Sequence, residues 1–240
     1  MQTTVDEIGT DVYRLSTYLP DVTERGFTFN QFLLTGDEPF LFHCGHRQLF
    51  PLVSEAINRV TPVEKLRWLS FGHLEADECG AVNLFLDAAP HAEVIHSGLA
   101  CMVSLIDMCD RPPVVAPENG VHDIGGHRLR FIATPHVPHN WEAGLWFDET
   151  TSTLLAGDLF THVGTCPALT ESDIVAPALE AEEFFHATGL TSNLQPTLHG
   201  LAELDPTTLA VMHGASYAGD GAGQLRALAD GYAAMAESPR

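Results

Sequence analysis

Basic side chains are scarce in this sequence: 11 lysines and arginines stand against 32 aspartates and glutamates, giving a formal net charge of -21. This excess of negative charge would repel a phosphate backbone or an anionic membrane surface. We therefore expect neither a nucleic acid nor a membrane among the partners. Most of the acidic side chains must be solvated at the surface, which leaves only a minority for a functional site.

The sequence also lacks segments that would direct it out of the cytoplasm. The N-terminal stretch MQTTVDEIGTDVYRL has neither the basic segment nor the apolar core of a secretion signal, and no apolar run reaches the length of a membrane span. The five cysteines show no CxxC spacing, which argues against a thiolate zinc site and a disulfide framework. These absences predict a cytoplasmic protein with reduced thiols.

Separators between domains are missing as well. No repeat, low-complexity tract or Gly/Ser linker interrupts the 240 residues, and 45% of them are hydrophobic, which is enough for a sizeable core. We therefore predict a single domain over residues 1–240.

Short strands open each half of the chain, and helices follow. In the first half DVYRLST, FTFNQFLLTG and PFLFHCG are predicted strands, followed by alternating helices and strands from RQLFPLVSEAINRV to LACMVSLIDMC. In the second half the predicted strands are HRLRFIATP, AGLWFDET, STLLAGDLF and TTLAVMHG, and the main helices are ALEAEEFFHATGL and GQLRALADGYAAMAE. Two such halves predict an α/β fold, a four-layer αββα sandwich, although periodicity alone leaves a doubly wound sheet open.

Histidines and carboxylates stand where predicted strands end. His73 follows LRWLSF, His136 and His139 follow LRFIATP, Asp158 follows TLLAG, and His213 follows LAVM. Loops at one edge of a sheet commonly carry functional groups. Imidazole and carboxylate without thiolate suit iron, manganese or a hydrolytic zinc site. A metal centre is the leading hypothesis.

Taken one at a time, these residues have simpler explanations. His73 would serve as a surface histidine, Asp77 as the N-cap of the helix that follows, and Glu78 as a charge stabilised by the helix dipole. The joint pattern, H-x-E-x-D after a strand and three more polar groups at other strand ends, favours the metal centre.

This pattern resembles the metallo-β-lactamase fold, and within it the iron branch of flavodiiron proteins and oxygen-binding di-iron proteins. The resemblance is carried by HLEAD at residues 73–77, by the eighteen residues between His139 and Asp158, and by MHG at residues 212–214. Hydrolytic members of the fold have H-x-H-x-D-H as their first motif, whereas the iron branch has H-x-E-x-D. Glu75 matches the iron branch, and the resemblance covers essentially the whole chain.

The resemblance implies a pair of iron ions and their ligands. For one iron the implied ligands are His73, Glu75 and His139, for the other they are Asp77 and His213, and Asp158 bridges both ions together with an oxo or hydroxo group. Zinc or manganese is the alternative metal.

Three positions leave a choice open. The eighteen-residue interval favours His139 over His136, and the strand LAVM favours His213 over His199, which lies in the helix-like NLQPTLHGLAELD. Glu78 stands where both branches usually carry histidine, a departure that weakens a zinc-hydrolase assignment more than the di-iron one. Whether Glu78 is itself a ligand is left open.

Residues beside the ligand motifs are candidates for positions behind the ligands or in the pocket wall. These candidates are Glu78, His136, Trp141, Phe160, His162 and Tyr217. Core packing is the alternative for any one of the aromatic residues.

The ligand set favours redox chemistry. Glu75 places a hard anionic donor where hydrolases have a neutral imidazole, which stabilises ferric over ferrous iron and eases electron donation to oxygen. Zinc hydrolysis depends on making bound water acidic, which additional anionic ligands oppose. We therefore expect a di-iron protein that binds dioxygen, nitric oxide or peroxide, and the sequence leaves open whether it carries or senses this ligand or reduces it.

The resemblance also implies partners. Flavodiiron proteins receive electrons through FMN in a flavodoxin domain, and we expect no FMN-binding region in these 240 residues. An external flavoprotein or rubredoxin-like donor would then supply electrons, and a homodimer is implied. Two alternatives are kept: a metal-dependent hydrolase of a small ester, thioester or phosphoester, and a non-catalytic binding module.

Overall fold

Two seven-stranded sheets form the centre of the molecule in the computed structural model, which describes residues 1–118 and 120–237. The predicted domain of residues 1–240 thus includes four residues outside the described ones. The first sheet has the order β1-β2-β3-β4-β5-β6-β7 and the second the order β12-β14-β13-β11-β10-β9-β8. The strands of the first sheet are β1 (Thr3–Gly9), β2 (Val12–Leu19), β3 (Phe27–Leu34), β4 (Phe40–Phe42), β5 (Trp68–Ser70), β6 (Glu93–His96) and β7 (Val114–Val115). Those of the second are β8 (His122–Asp123), β9 (Arg128–Ala133), β10 (Gly144–Asp148), β11 (Thr153–Gly157), β12 (Leu169–Thr170), β13 (Thr208–Val211) and β14 (Ser216–Ala218).

Helices cover the outer face of each sheet. In the first half they are α1 (Phe50–Asn58), α2 (Ala76–Cys79), α3 (Val82–Ala88), α4 (Gly98–Ala100) and α5 (Ile106–Met108), with a π-helical turn at Cys101–Leu105 between the last two. In the second half they are α6 (Val175–Phe185), α7 (Leu194–Ala202) and α8 (Gly221–Glu237). Short 3₁₀ turns occur at Arg47–Leu49 and Val63–Lys65. Among the described residues, we find no helix that combines the length and the apolar character needed to cross a bilayer.

Three apolar clusters account for the layers. One joins the first sheet to its helices through residues such as Leu41, Val53 and Phe85. A second joins the other sheet to its helices, and a third, with Phe32 from one sheet and Trp146 from the other, fills the space between the sheets. Burying one face of each sheet against helices and the other against its neighbour removes most apolar surface from water. The predicted four-layer αββα arrangement is confirmed.

The strands and helices predicted from periodicity are present, with one interruption. The segment DECGAVNLFLDAA forms two helices, α2 and α3, instead of one. The carbonyl oxygen of Glu78 accepts hydrogen bonds from the backbone of Cys44 and Gly45, and the backbone N–H of Ala81 donates to Gly45. These bonds to the segment after β4 replace the bonds that would have continued the helix.

Hydrogen bonds also connect the two sheets. Trp146 Nε1 donates to Ser70 Oγ at 2.8 Å, and Ser70 Oγ donates to the Ile95 carbonyl at 2.7 Å. Asn30 on β3 donates its side-chain amide to the carbonyl oxygens of Val211 and Gly214 at 2.8 and 3.0 Å. The end of β13 in one sheet is thereby held against β3 of the other.

Asp148, at the end of β10, is a buried carboxylate that stabilises the fold away from the strand ends discussed below. It accepts hydrogen bonds from His127 Nδ1 at 2.7 Å, from the Thr151 hydroxyl at 2.5 Å and from the Thr150 backbone N–H at 3.0 Å. Burial raises its pKa, but the bonds from His127 and Thr151 outweigh burial, so the pKa lies below its ordinary value.

We predict that Asp148→Asn lowers the free energy of unfolding by about 1–3 kcal/mol at pH 7, because an amide replaces an accepting oxygen by a donor. A depressed carboxyl pKa stabilises the fold above the ordinary pKa of 3.8 and ceases to do so as the pH falls through the folded-state value. The gap between wild type and variant, measured by urea unfolding, should therefore shrink below about pH 4. The exposed Asp230→Asn change is the control, and an equal loss in both variants would contradict the prediction.

Candidate metal centre

Parallel pairing of β11 and β13 places two of the predicted residues side by side. Gly157 pairs with Val211 at the ends of these strands, and the N–H of Met212 donates to the Gly157 carbonyl at 3.0 Å. Asp158 follows β11 directly and His213 follows β13 after Met212, so both lie at the same sheet edge. His73 follows β5 in the other sheet, and His139 lies in the loop between β9 and β10.

Four of the predicted residues form one tight group. The Nε2 atoms of His73 and His139 lie 2.7 Å apart, and Glu75 Oε2 lies 2.9 Å from the first and 3.2 Å from the second. Asp158 Oδ2 lies 3.8 Å from each of the two Nε2 atoms. One ligand-type atom from each of the four residues thus falls within 4.8 Å of all the others.

A second group uses the other oxygen of the same aspartate. His213 Nε2 lies 3.2 Å from Asp158 Oδ1 and 3.3 Å from Asp77 Oδ2. The carboxylate of Asp158 therefore lies between two sets of polar atoms and directs one oxygen to each.

The imidazole of His213 is held from behind by the first sheet. Its Nδ1 donates to the Thr28 carbonyl at 2.8 Å, so Nε2 is the ring nitrogen that faces Asp158 and Asp77. Its ring stacks on Phe27 with centroids 4.4 Å apart. Gly214 has a φ of 118°, and a Cβ there would overlap the ring of His162, so only glycine fits after this histidine.

Glu78 points away from both groups and into the protein. It is fully buried, and Oε2 accepts hydrogen bonds from the backbone N–H groups of Gly72 at 2.6 Å and His73 at 2.7 Å. Oε1 lies 3.2 Å from His73 Nδ1 and 3.5 Å from Nε2 of the buried His43. Glu78 thus lies behind His73 and contacts Nδ1, whereas Nε2 of the same ring faces His139 and Glu75.

The electrostatics of the site match this crowding of carboxylates around imidazoles. Burial opposes protonation of His73, but the charge of Glu78 and the hydrogen bond to Glu75 raise its pKa to about 11. Hydrogen bonds from His139 and His73 lower the pKa of Glu75 to about 2.

The same reasoning applies to the second group. Burial lowers the pKa of His213, but the carboxylates of Asp158 and Asp77, 3.2 and 3.3 Å from Nε2, outweigh it and raise the pKa to about 10. Burial raises the pKa of Asp158, and the contact with His213 reverses this and keeps the pKa below its ordinary value. The shifts in both groups thus have the same sense: the carboxylates stay ionised, and they stabilise positive charge on the imidazoles between them.

The donor set fits a metal pair. Ligand atoms about 2.1 Å from a common ion lie about 3 Å or slightly more from one another, which matches most of the separations in both groups. The buried Asp158 Oδ1 has no partner in hydrogen-bonding orientation among the described residues, and the same holds for the buried His139 Nδ1. An anionic oxygen left in this way is stabilised by a cation.

A cavity of about 230 Å³ opens onto both groups. Beside Asp158 and His213 its wall contains Phe27, Pro138, Ala181, Phe185, Thr188 and Tyr232. Several of these wall residues come from α6, α8 and the loop between α6 and α7, far along the chain from any ligand motif. Sequence reasoning missed Ala181, Phe185 and Tyr232 because their helical spacing is that of ordinary core residues, and it missed Thr188 because no local signal marks this loop residue.

Five candidates named for the pocket or the ligand surroundings lie outside this wall: His136, Trp141, Phe160, His162 and Tyr217. Trp141 is 54% exposed, whereas Phe160 and Tyr217 pack in the core of the second half. His162 is used structurally, because Nδ1 donates to the Phe160 carbonyl at 2.8 Å and Nε2 accepts from the Ala215 N–H at 2.9 Å. Adjacency in sequence to a ligand motif did not bring these side chains to the cavity.

The two histidine choices are separated by position. His139 lies in the first group, whereas His136 is exposed, with a φ of 65°, and its N–H bonds the Asn140 carbonyl to close a turn. His213 lies in the second group, whereas His199 is exposed on α7.

Comparison with known proteins identifies the family and supports the fold. The sequence pattern of the family described as "ODP family beta lactamase" matches residues 27–214. Diflavin flavoprotein A 1 of Thermosynechococcus vestitus is 29% identical over 187 residues, which are 76% of this chain and 32% of that protein. The chain spans about a quarter to a third of the length of the curated relatives it matches.

Solved structures show the same fold at lower identity. The metal-soaked Flv1 flavodiiron core of Synechocystis sp. PCC6803 has a TM-score of 0.82 and 22% identity, and the likeness covers 97% of this chain and 61% of that one. Rubredoxin oxygen:oxidoreductase of Desulfovibrio gigas has a TM-score of 0.79 and 17% identity over 98% of this chain and 62% of that one. The predicted metallo-β-lactamase-like fold and the resemblance to flavodiiron proteins are confirmed. Since the family pattern covers most of its residues, the chain belongs to the ODP family of β-lactamase-fold proteins.

Proposed function

We propose that this chain holds a pair of iron ions and, with electrons from a separate donor, binds and reduces dioxygen, nitric oxide or peroxide. The observation that carries the proposal is the placement of Asp158, whose two oxygens face two different sets of ligand-type atoms. The proposed ligands of one ion are His73, Glu75 and His139, those of the other are Asp77 and His213, and Asp158 bridges the two.

The carboxylates make such a pair electrostatically acceptable. Two cations about 3.5–4 Å apart repel each other, and a shared carboxylate screens that repulsion and sets their separation. Glu75 and Asp77 each add one further negative charge on opposite sides of Asp158. Bound iron would supply the one-electron steps that reduction of dioxygen or nitric oxide requires.

Iron is preferred to zinc because of Glu75. Its oxygen lies within 3.2 Å of both Nε2 atoms of the first group, where it would act as a hard anionic ligand. Such a ligand favours the ferric state and opposes the acidification of bound water on which zinc hydrolysis depends. The names of the relatives, a diflavin flavoprotein and a flavodiiron core, support the same choice.

The size of the cavity, about 230 Å³, suits a small ligand. Phe27 and Phe185 contribute aromatic surface to one part of the wall, beside the small side chains of Ala178 and Ala181 of α6. The chain's own contribution is to orient the ligand atoms around this space.

The partners follow from what similar proteins are called. We propose a flavin-containing or rubredoxin-like electron donor outside residues 1–240, in keeping with the names diflavin flavoprotein and rubredoxin oxygen:oxidoreductase. A single domain, a homodimer and a cytoplasmic location complete the proposal.

We predict that the chain, loaded anaerobically with ferrous iron, retains about two irons and develops a ferric charge-transfer absorption when oxygen is admitted. Elemental analysis and optical spectroscopy give both results on one sample. The same chain loaded with zinc is the control and should stay colourless. Preferential retention of zinc, with no spectral change of the iron-treated sample, would instead favour the hydrolase alternative.

Asp158→Ala should weaken metal retention by more than about tenfold, because both metal positions lose their shared ligand. His199→Ala, a change at an exposed position of α7, should leave retention as in wild type. Metal content after equilibrium dialysis provides the comparison. Equal retention in the two variants would refute the bridging role.

Metal binding should release protons. The raised pKa values of His73 and His213, about 11 and about 10, keep both imidazoles protonated in metal-free protein at neutral pH. A metal ion must displace these protons, so we expect the release of about two per chain and an apparent affinity that rises with pH. Calorimetric titration with zinc in buffers of different ionisation enthalpy measures the release. A release of zero would contradict the assignment of both histidines.

A further inference from the structure

The two proposed metal positions are built from unequal numbers of side chains. The first has three groups of its own, with ligand-type atoms 2.7 to 3.2 Å apart. The second has two, Asp77 and His213, whose ligand-type atoms lie 3.3 Å apart. Asp158 is common to both. Each additional ligand fixed by the protein raises affinity, because less conformational freedom remains to be lost on binding.

The residues behind the ligands differ as well. His73 has the carboxylate of Glu78 behind it, with Oε1 3.2 Å from its Nδ1. Oε2 is anchored by the backbone N–H groups of Gly72 and His73, so the carboxylate cannot turn toward the cavity without losing both hydrogen bonds. A Cβ on Gly72 would lie 3.1 Å from both oxygens, which shows how closely the backbone encloses Glu78.

His213 has a neutral group behind it instead. Its Nδ1 donates to the carbonyl oxygen of Thr28 at 2.8 Å. A negatively charged carboxylate close to the second ring nitrogen of a ligand histidine makes the imidazole a stronger ligand for a metal than a neutral carbonyl does, because its charge raises the electron density at the nitrogen that faces the metal. The first position is therefore favoured both in ligand number and in ligand strength.

We propose that the two metal positions are filled in order, the His73–Glu75–His139 position first and tightly and the Asp77–His213 position second and more weakly, and that Glu78 sets this order as a positioning residue behind His73. The proposal rests on the ligand assignment of the proposed function, but not on iron or on oxygen chemistry. It also gives a role to the carboxylate that stands where histidine is usual.

Cobalt(II) titration of the metal-free chain of residues 1–240 under argon tests the order. The d–d absorption of cobalt reports the ligand field of each position without any turnover. We expect two steps with different spectra, the first at least tenfold tighter than the second. Glu78→Gln should weaken the first step by 10–100-fold and shift its spectrum, because the amide presents a donor to His73 Nδ1, and should leave the second step within about twofold.

Glu142→Gln is the matched control. Glu142 is also a buried carboxylate that holds this loop, but it does so through a hydrogen bond from the Leu74 backbone N–H at 3.0 Å and not through a ligand imidazole. Its variant should bind cobalt like wild type. An equal weakening in both variants would show that Glu78 acts only by holding the loop, and would overturn its positioning role.

Two further variants test the order even when Glu78→Gln does not fold. Asp77→Asn should keep the tight first step and lose the second, whereas His139→Ala should lose the tight step, with the exposed His136→Ala as its control. Two equivalent steps in wild type, or loss of the tight step in Asp77→Asn, would overturn the proposal. Ordered cobalt binding without oxygen reactivity of the iron form would refute the proposed function alone, and oxygen reactivity with equivalent cobalt steps would refute only the order.

Discussion

The placement of one carboxylate, that of Asp158, between two sets of imidazole and carboxylate atoms is the constraint on which the site depends. Its position follows from the parallel pairing of β11 and β13, which brings Asp158 and His213 to the same sheet edge. The first sheet supplies His73, and the loop between β9 and β10 supplies His139. With Asp158 in this place, several carboxylates lie close together, and they would repel one another unless positive charge lay among them. The pKa values of His73 and His213 are raised for the same reason, because the neighbouring carboxylates stabilise positive charge on these imidazoles.

The rest of the architecture keeps these strand ends in register. Asn30 and Thr28 on β3 bond the segment around His213 and Gly214, so a strand of one sheet positions a loop of the other. The apolar layer between the sheets, which includes Phe32 and Trp146, holds the two edges at a constant separation. The ligand residues consequently lie at the ends of packed strands, and part of the cavity wall comes from α6 and α8.

The elements that could be predicted are those whose signal is local. Apolar periodicity located most of the longer strands and helices, although it missed β1. Polar residues after strands pointed to a metal centre, and the resemblance assigned its individual ligands. The choice of His139 over His136 came from spacing, and the structure brings His139 and not His136 into the first group. Edge strands of two or three residues, such as β7 and β12, escaped prediction because pairing with a neighbour creates them. The cavity residues Thr188 and Tyr232 escaped because only tertiary packing carries them to the site.

Glu78 shows why the surroundings of a site are harder to predict than its centre. In sequence it is one more carboxylate in HLEADE, and nothing local distinguishes a ligand from a residue that turns inward. Its direction is set by the N–H groups of Gly72 and His73 and by the buried His43, which lies at a positive φ after β4. These contacts depend on how the end of β5 meets the start of α2, and they exist only once the sheet has formed.

The most direct test of the central claim is anomalous diffraction at the iron absorption edge from crystals of the iron-loaded chain. The bridging role of Asp158 predicts two anomalous peaks about 3.5–4 Å apart, one on the side of His73, Glu75 and His139 and the other on the side of Asp77 and His213. A single peak, or peaks that Asp158 does not separate, would contradict it.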